Sequence, residues 1–307
     1  MINMKILITI LGLLLSGIVH GQTAPASQQS SDFSGAQTAY KQINGIDLAY
    51  RQFGAGEPVL LYNRFRGIMD TWDPLFLDAL SRHYLVVVFD YPGVGSSKGQ
   101  LPTELGEAGS VGVQLMESLG HPKFHVGGWS YGGLVAQVVM FGHKDKVLKS
   151  ILIGCNPPGK NEVPMEMKFG MTAMKPTYEL EDEIILFFEP DSETSRQAAK
   201  ESHDRIAARV NPDLIPSDPE TLKRYQMGMM RFGMDSLNLR EHYKTLATPT
   251  LVIAGDHDIS FSPKNWVPLY THAPLLQQLI LPDSGHGSLN QYPELVAGYI
   301  HVFLSQD

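Results

Sequence analysis

Between residues 59 and 153 the chain alternates short apolar runs with amphipathic stretches, and this rhythm restricts its possible folds more than any other feature. The runs are Val59-Leu60-Leu61-Tyr62, residues 84–89, Phe124-His125-Val126 and residues 147–153. Between them, residues 71–81, 104–119 and 131–141 space their apolar side chains at helical intervals, as with Trp72, Leu75, Phe76, Ala79 and Leu80 in the first. Strands that alternate with helices predict a mostly parallel sheet with helices on both faces, because each crossover must return across the sheet. Two β-like runs, residues 39–43 and 46–53, come before this pattern and meet at Asn44-Gly45. Both residue types accept positive φ, so a tight hairpin turn is predicted there.

The rhythm stops at Asn156-Pro157-Pro158-Gly159 and resumes at Thr248-Pro249-Thr250-Leu251-Val252-Ile253-Ala254. A further strand is predicted over 275–281 and a closing helix over 293–304. The interval holds helical patterns and eight methionines: Met165, Met167, Met171, Met174, Met227, Met229, Met230 and Met234. The simplest division is an α/β core over 39–156 and 247–307, carrying a helical cap or lid over 157–246 at the C-terminal edge of the sheet. Flexible thioethers suit the lining of an adaptable apolar pocket, and they serve equally as ordinary packing.

At the N-terminus Lys5 precedes an uncharged apolar stretch, residues 6–19, which ends in small and polar residues. This is the layout of a secretory signal peptide over 1–21, so a periplasmic or secreted protein without stable membrane insertion is expected after its removal. An uncleaved anchor is the alternative. Residues 22–38, rich in Gln, Ser and Ala, read as a disordered linker. The formal net charge of −8 argues against nucleic acid or anionic lipid as partner, since both need a basic footprint. A small molecule is the expected partner. The single cysteine, Cys155, excludes an intrachain disulfide and reads as a buried small hydrophobe.

The chemistry concentrates at Gly128-Trp129-Ser130-Tyr131-Gly132, a G-x-S-x-G sequence between a predicted strand and a predicted helix. In that context the serine sits on a sharp turn and the glycines allow close backbone approach. A serine nucleophile needs a base. Of the eleven histidines, His286 lies between glycines directly after the last predicted strand, at the sheet edge where Ser130 is expected. The imidazole in turn needs a carboxylate, and Gly255-Asp256-His257-Asp258 after the preceding strand offers two. Asp256, nearer the strand, could instead bind loop backbone. Asp256-His257-Asp258 lacks a third ligand at a useful spacing, so no metal is expected.

From about residue 40 onward the chain resembles the α/β-hydrolase fold superfamily, in particular its lidded serine esterases and cofactor-free haloperoxidases. Asp90-Tyr91-Pro92-Gly93-Val94-Gly95-Ser96-Ser97 resembles the family's turn after its fourth strand, and Ser130-Tyr131-Gly132-Gly133-Leu134-Val135-Ala136 its nucleophile helix. The resemblance implies a Ser130–His286–Asp258 triad, selecting Asp258 because the family's acid falls three residues after a glycine. It also implies an oxyanion hole made by the N–H groups of Phe65 and Tyr131, and no cofactor. One departure stands out. Where the family carries His-Gly and an apolar residue, this chain has Asn63-Arg64-Phe65-Arg66-Gly67. Arg66, with Arg64 beside it, is expected either to meet an acidic substrate group or to fix the loop through salt bridges to Asp70 or Asp73. Trp129, beside the nucleophile, is a second expected substrate contact. The implied activity is hydrolysis of an ester-like bond through an acyl-enzyme. C–C hydrolase, lactonase, aminopeptidase and perhydrolase chemistry would use the same groups, and a non-catalytic ligand sensor could retain the pocket.

Overall fold

The structure is a computed structural model and describes residues 30–306. The expected signal segment lies outside the described residues. One eight-stranded sheet organises the chain: β1 (Ala39–Ile43), β2 (Ile46–Gly54), β3 (Pro58–Tyr62), β4 (Leu85–Phe89), β5 (Phe124–Trp129), β6 (Val147–Ile153), β7 (Thr250–Gly255) and β8 (Leu276–Leu281). Their order across the sheet is β1-β2-β4-β3-β5-β6-β7-β8. Only the β1–β2 and β2–β4 pairs are antiparallel. Asn44 and Gly45 take φ of 51° and 78°, which gives the β1–β2 turn its left-handed backbone.

Every residue of β4, β5 and β7 is buried, as expected for parallel strands covered on both faces. The pleat sorts side chains between two cores. Leu60 and Tyr62 of β3 join Val87, Val126, Leu152 and Val252 on one face. Val59 and Leu61 join Val86, Val88, Ile151 and Ile253 on the other. Helix α1 (Pro74–Ser81) packs on the second face beside a late helix described below, and α2 (Leu105–Ser118) and α3 (Tyr131–Gly142) pack together on the first. Asp73 caps α1 by accepting from Leu75 N–H at 3.0 Å, so the α-helix starts at Pro74, later than the apolar spacing suggests.

Residues 157–246 leave the sheet between β6 and β7 and form α4 (Met167–Ala173), α5 (Leu180–Phe187), α6 (Glu193–Ala207), α7 (Pro219–Met234) and α8 (Leu239–His242). Short α9 (Ser288–Gln291) and α10 (Pro293–Leu304) close the chain, with α10 against α1.

The expected linker over 22–38 is corrected from Ser30 onward. Phe33 is fully buried, packs on Phe53 and has the guanidinium groups of Arg51 and Arg209 against its ring. Its N–H donates to Asp78 Oδ1 at 2.7 Å. One aromatic residue in a polar segment is enough to dock it when two cations and an apolar slot await it.

Candidate active site

Ser130 stands where β5 turns into α3, with φ 58° and ψ −119°. A non-glycine residue held in so sparse a region costs on the order of 1–3 kcal/mol, so the surroundings must enforce it. They do so through close main-chain approach. A Cβ on Gly132 would lie 1.9 Å from Tyr62 O, and one on Gly128 would lie 2.1 Å from Gly132 O. Ser130 N–H donates to Ile153 O at 2.8 Å, and Ser130 O accepts from Gly133 N–H at 2.8 Å. The serine therefore sits at the N-terminal end of α3, where the helix concentrates partial positive charge.

His286 follows β8 and Asp258 follows β7, so adjacent parallel strands deliver both to the same sheet edge. His286 Nδ1 and Asp258 Oδ2 are 2.9 Å apart, and both side chains are almost wholly inaccessible. Asp258 Oδ1 accepts from the N–H groups of Ser260 and Phe261 at 2.8 and 2.9 Å. An ionised carboxylate only accepts hydrogen bonds, so Nδ1–H is the donor of this pair and Nε2 is the ring nitrogen left for another partner. Nε2 is buried and has no hydrogen-bond partner among the described residues. The rings of Trp129, Phe169, Phe187 and Phe261 surround the imidazole at centroid distances of 6.0, 5.3, 6.4 and 5.6 Å. Asp256 has the other role open to it: it accepts from Ser284 N–H at 3.1 Å and pairs with exposed His257, whose pKa that bond raises.

Ser130 and His286 line one cavity, which holds about 720 Å³ of empty space including its mouth. Arg64 and Phe65 also line it from the core, and Phe169, Tyr178, Phe187, Gln226 and Met229 from the insertion. The N–H groups of Phe65 and Tyr131 donate to no backbone acceptor among the described residues. The loop carrying Phe65 turns without the family's glycine: Arg66 takes φ 56°, and Gly67 N–H closes onto Arg64 O at 2.9 Å. Among the described residues, no three histidine, cysteine or carboxylate side chains converge as a metal site.

The family model of the alpha/beta hydrolase fold matches residues 57–290. The chain belongs to the α/β-hydrolase fold family. The chain is 31% identical over 177 residues to the dihydrolipoyllysine-residue acetyltransferase component of the acetoin cleaving system of Cupriavidus necator. That match covers 56% of this chain and 46% of the relative, less than half of that protein's own length. It is 24% identical over 266 residues to the pimeloyl-[acyl-carrier protein] methyl ester esterase of Vibrio vulnificus, covering 84% of this chain and 97% of that one. Among solved structures it resembles an alpha/beta hydrolase fold protein from Chitinophaga pinensis, with a TM-score of 0.80, 27% identity and coverage of 90% and 100% of the two chains.

Two expected substrate contacts are corrected. Arg66 is buried away from the cavity lining, and its guanidinium binds carbonyls of the insertion. Nε donates to Pro216 O at 2.6 Å, Nη1 to Lys175 O at 2.5 Å and Ala173 O at 3.3 Å, and Nη2 to Pro176 O at 2.5 Å. Trp129 is likewise buried outside the lining, and its indole N–H donates to His286 O at 3.0 Å, which fixes the histidine loop. The expected salt bridges to Asp70 and Asp73 are corrected too, because Asp70 pairs with Arg51 and Asp73 with Arg205 of α6. The methionine-rich composition of the insertion points to such a lining, whereas its aromatic residues carry no signal in the sequence beyond helical periodicity. Of the eight methionines, Met165, Met174 and Met229 line the cavity.

Proposed function

We propose that this hydrolase cleaves an ester-type small molecule through an acyl-enzyme, with Ser130 as nucleophile, His286 as general acid and base, and Asp258 as the carboxylate that orients it. The observation that carries this reading is a buried imidazole whose Nδ1 is committed to a carboxylate while Nε2 is unpaired at the cavity that Ser130 lines. Apo geometries of this kind tighten when substrate arrives.

In the first step Ser130 Oγ bonds to the carbonyl carbon and its proton passes to Nε2. The carbonyl oxygen becomes an oxyanion, placed on the N–H groups of Phe65 and Tyr131; one such donor is worth about 3 kcal/mol in a transition state. The ester C–O bond then breaks and the alcohol leaves with the proton from His286. Water, giving its proton to Nε2, attacks the acyl-enzyme and releases the acid and free Ser130. Aromatic rings around His286 exclude bulk water, which strengthens the imidazolium–Asp258 attraction during both steps. This chemistry draws on no cofactor. The Vibrio relative's name as a methyl ester esterase points the same way.

In this reading the insertion is a lid over the site, and residues 1–21 direct export; the mass of the mature protein tests the second point. The central test is a fluorophosphonate probe together with a panel of simple esters. Covalent labelling at Ser130 and turnover are expected. A protein that binds esters but is neither labelled nor active is a ligand sensor, and the catalytic reading then fails.

A further inference from the structure

The two arginines of the Asn63–Gly67 loop have opposite surroundings. Arg66 satisfies its guanidinium on four carbonyls. Arg64, two residues earlier, points its guanidinium over the rings of Trp129 and Phe187, at 5.4 and 4.9 Å from their centroids. A guanidinium has five N–H donors. Arg64 uses one, from Nη1 to Phe65 O at 2.8 Å, and its Nε is buried with no acceptor. No carboxylate lies within ion-pair reach of it among the described residues; Glu183, which acts on it electrostatically, is hydrogen-bonded to His203 Nδ1 at 2.9 Å. Burial holds the Arg64 pKa below the usual guanidinium range, with the charge still present at neutral pH.

A cation placed in an apolar cavity beside a candidate nucleophile, with most of its donors free, lacks a counter-ion that the protein itself does not supply. Stacking on two rings offsets part of its desolvation and uses none of its N–H donors. Phe187 also stacks on His286 at a centroid distance of 6.4 Å, and Arg64 lines the same cavity as Ser130 and His286.

Resting on the esterase reading above, we infer that Arg64 is the specificity residue of the site and that the substrate is an ester carrying a carboxylate. The planar fork of N–H donors matches a carboxylate in two parallel hydrogen bonds, and because Arg64 and Ser130 line one cavity a short linker joins that carboxylate to the scissile ester. The reaction is then hydrolysis of a half-ester: the ester C–O bond breaks, the alcohol leaves with a proton, and water supplies the hydroxyl that completes a dicarboxylate.

The test compares the monomethyl esters of glutaric and adipic acid with methyl valerate and methyl hexanoate, in which a methyl group replaces the free carboxylate. Proton release follows turnover. The wild type is expected to favour the half-esters in kcat/KM, and Arg64→Met to lower that preference on the order of 100-fold, with Arg64→Lys in between. Equal or better turnover of the neutral esters by the wild type overturns the inference, as does a preference that Arg64→Met leaves intact. Protection against thermal unfolding by free adipate provides a readout without catalysis: it is expected in the wild type and absent in Arg64→Met. Failure of the esterase reading looks different, as loss of fluorophosphonate labelling with no ester turned over. In that case the adipate measurement still decides the role of Arg64. Should Arg64→Met not fold, the wild-type preference and the adipate shift decide it alone.

Discussion

On the core side of the cavity, main-chain geometry leaves almost no freedom in the choice of residue; on the insertion side it leaves a great deal. Gly128 and Gly132 admit no Cβ, Ser130 is held at positive φ, and Asp258 has both oxygens committed. The insertion instead presents Phe169 of α4, Met165 and Met174 flanking that helix, and Met229 of α7, while Met167 of α4 and Met234 of α7 are exposed. One side is built to hold atoms still and the other to be apolar and adaptable. The two are tied together by arginines: Arg66 reaches up from the core to four insertion carbonyls, and Arg205 reaches down from α6 to fully buried Asp73. Such ties are directional, so they fix the position of the insertion where apolar packing alone would let it slide.

This contrast can be broken most directly at Ser130. Ser130→Ala is expected to lower kcat on simple esters on the order of 10⁴-fold or more, with an unchanged far-ultraviolet dichroism spectrum. Asp258→Asn follows, with a loss of about 10⁴-fold, because the wrong imidazole tautomer becomes favoured. Asp256→Asn is the control, and equal losses in the two variants would show that the choice between the carboxylates is wrong. The ties come next. Arg66→Met leaves four carbonyls short of a donor and is expected to destabilise the protein by about 4 kcal/mol in urea titration, with proteolysis beginning in residues 157–246. Unchanged stability would mean that the insertion is held by packing.

The core side also carries a pH signature. Burial raises the Asp90 pKa to about 6, against the opposing hydrogen bonds from Ser96 and Met69 N–H. A carboxyl with a raised folded-state pKa favours the fold when protonated. Its contribution is complete below about pH 4 and is lost as pH rises through 6, a difference of up to about 3 kcal/mol between these limits. Asp90→Asn should remove that slope from the stability–pH curve; an identical slope in the variant would exclude Asp90 as its source. The smallest effect belongs to the insertion wall. Met165→Ala and Met229→Ala are each expected to raise KM by roughly threefold, with most of the change in binding and little in kcat. A large fall in kcat would instead give the insertion a part in the chemistry.

Much of the core was legible because its signals are local. The G-x-S-x-G turn, the Asn44-Gly45 hairpin and the buried strand runs each state a backbone requirement within a few residues, and α10 occupies the residues its pattern indicates. His286 and Asp258 were legible as candidates because each directly follows a strand whose neighbour in the sheet is set by the fold. The insertion was not legible in this way. Helical periodicity told that residues 157–246 contain helices, but which of their faces meets Ser130 depends on how the helices pack. Phe33 was missed for a related reason: its slot is made by Phe53, Arg51 and Arg209, drawn from distant parts of the chain.

The neighbouring residues Arg64 and Arg66 mark the boundary between what local pattern decides and what it leaves open. Sequence alone determined the sheet, the sharp turn at Ser130, and the arrival of a histidine and an acid at one edge, because backbone sterics and strand order act over short range. Only the tertiary structure decided that Arg66 ties down the insertion while Arg64 faces the cavity with free donors. A side chain's partners are set by whatever chain arrives opposite it, and here that chain comes from more than a hundred residues away.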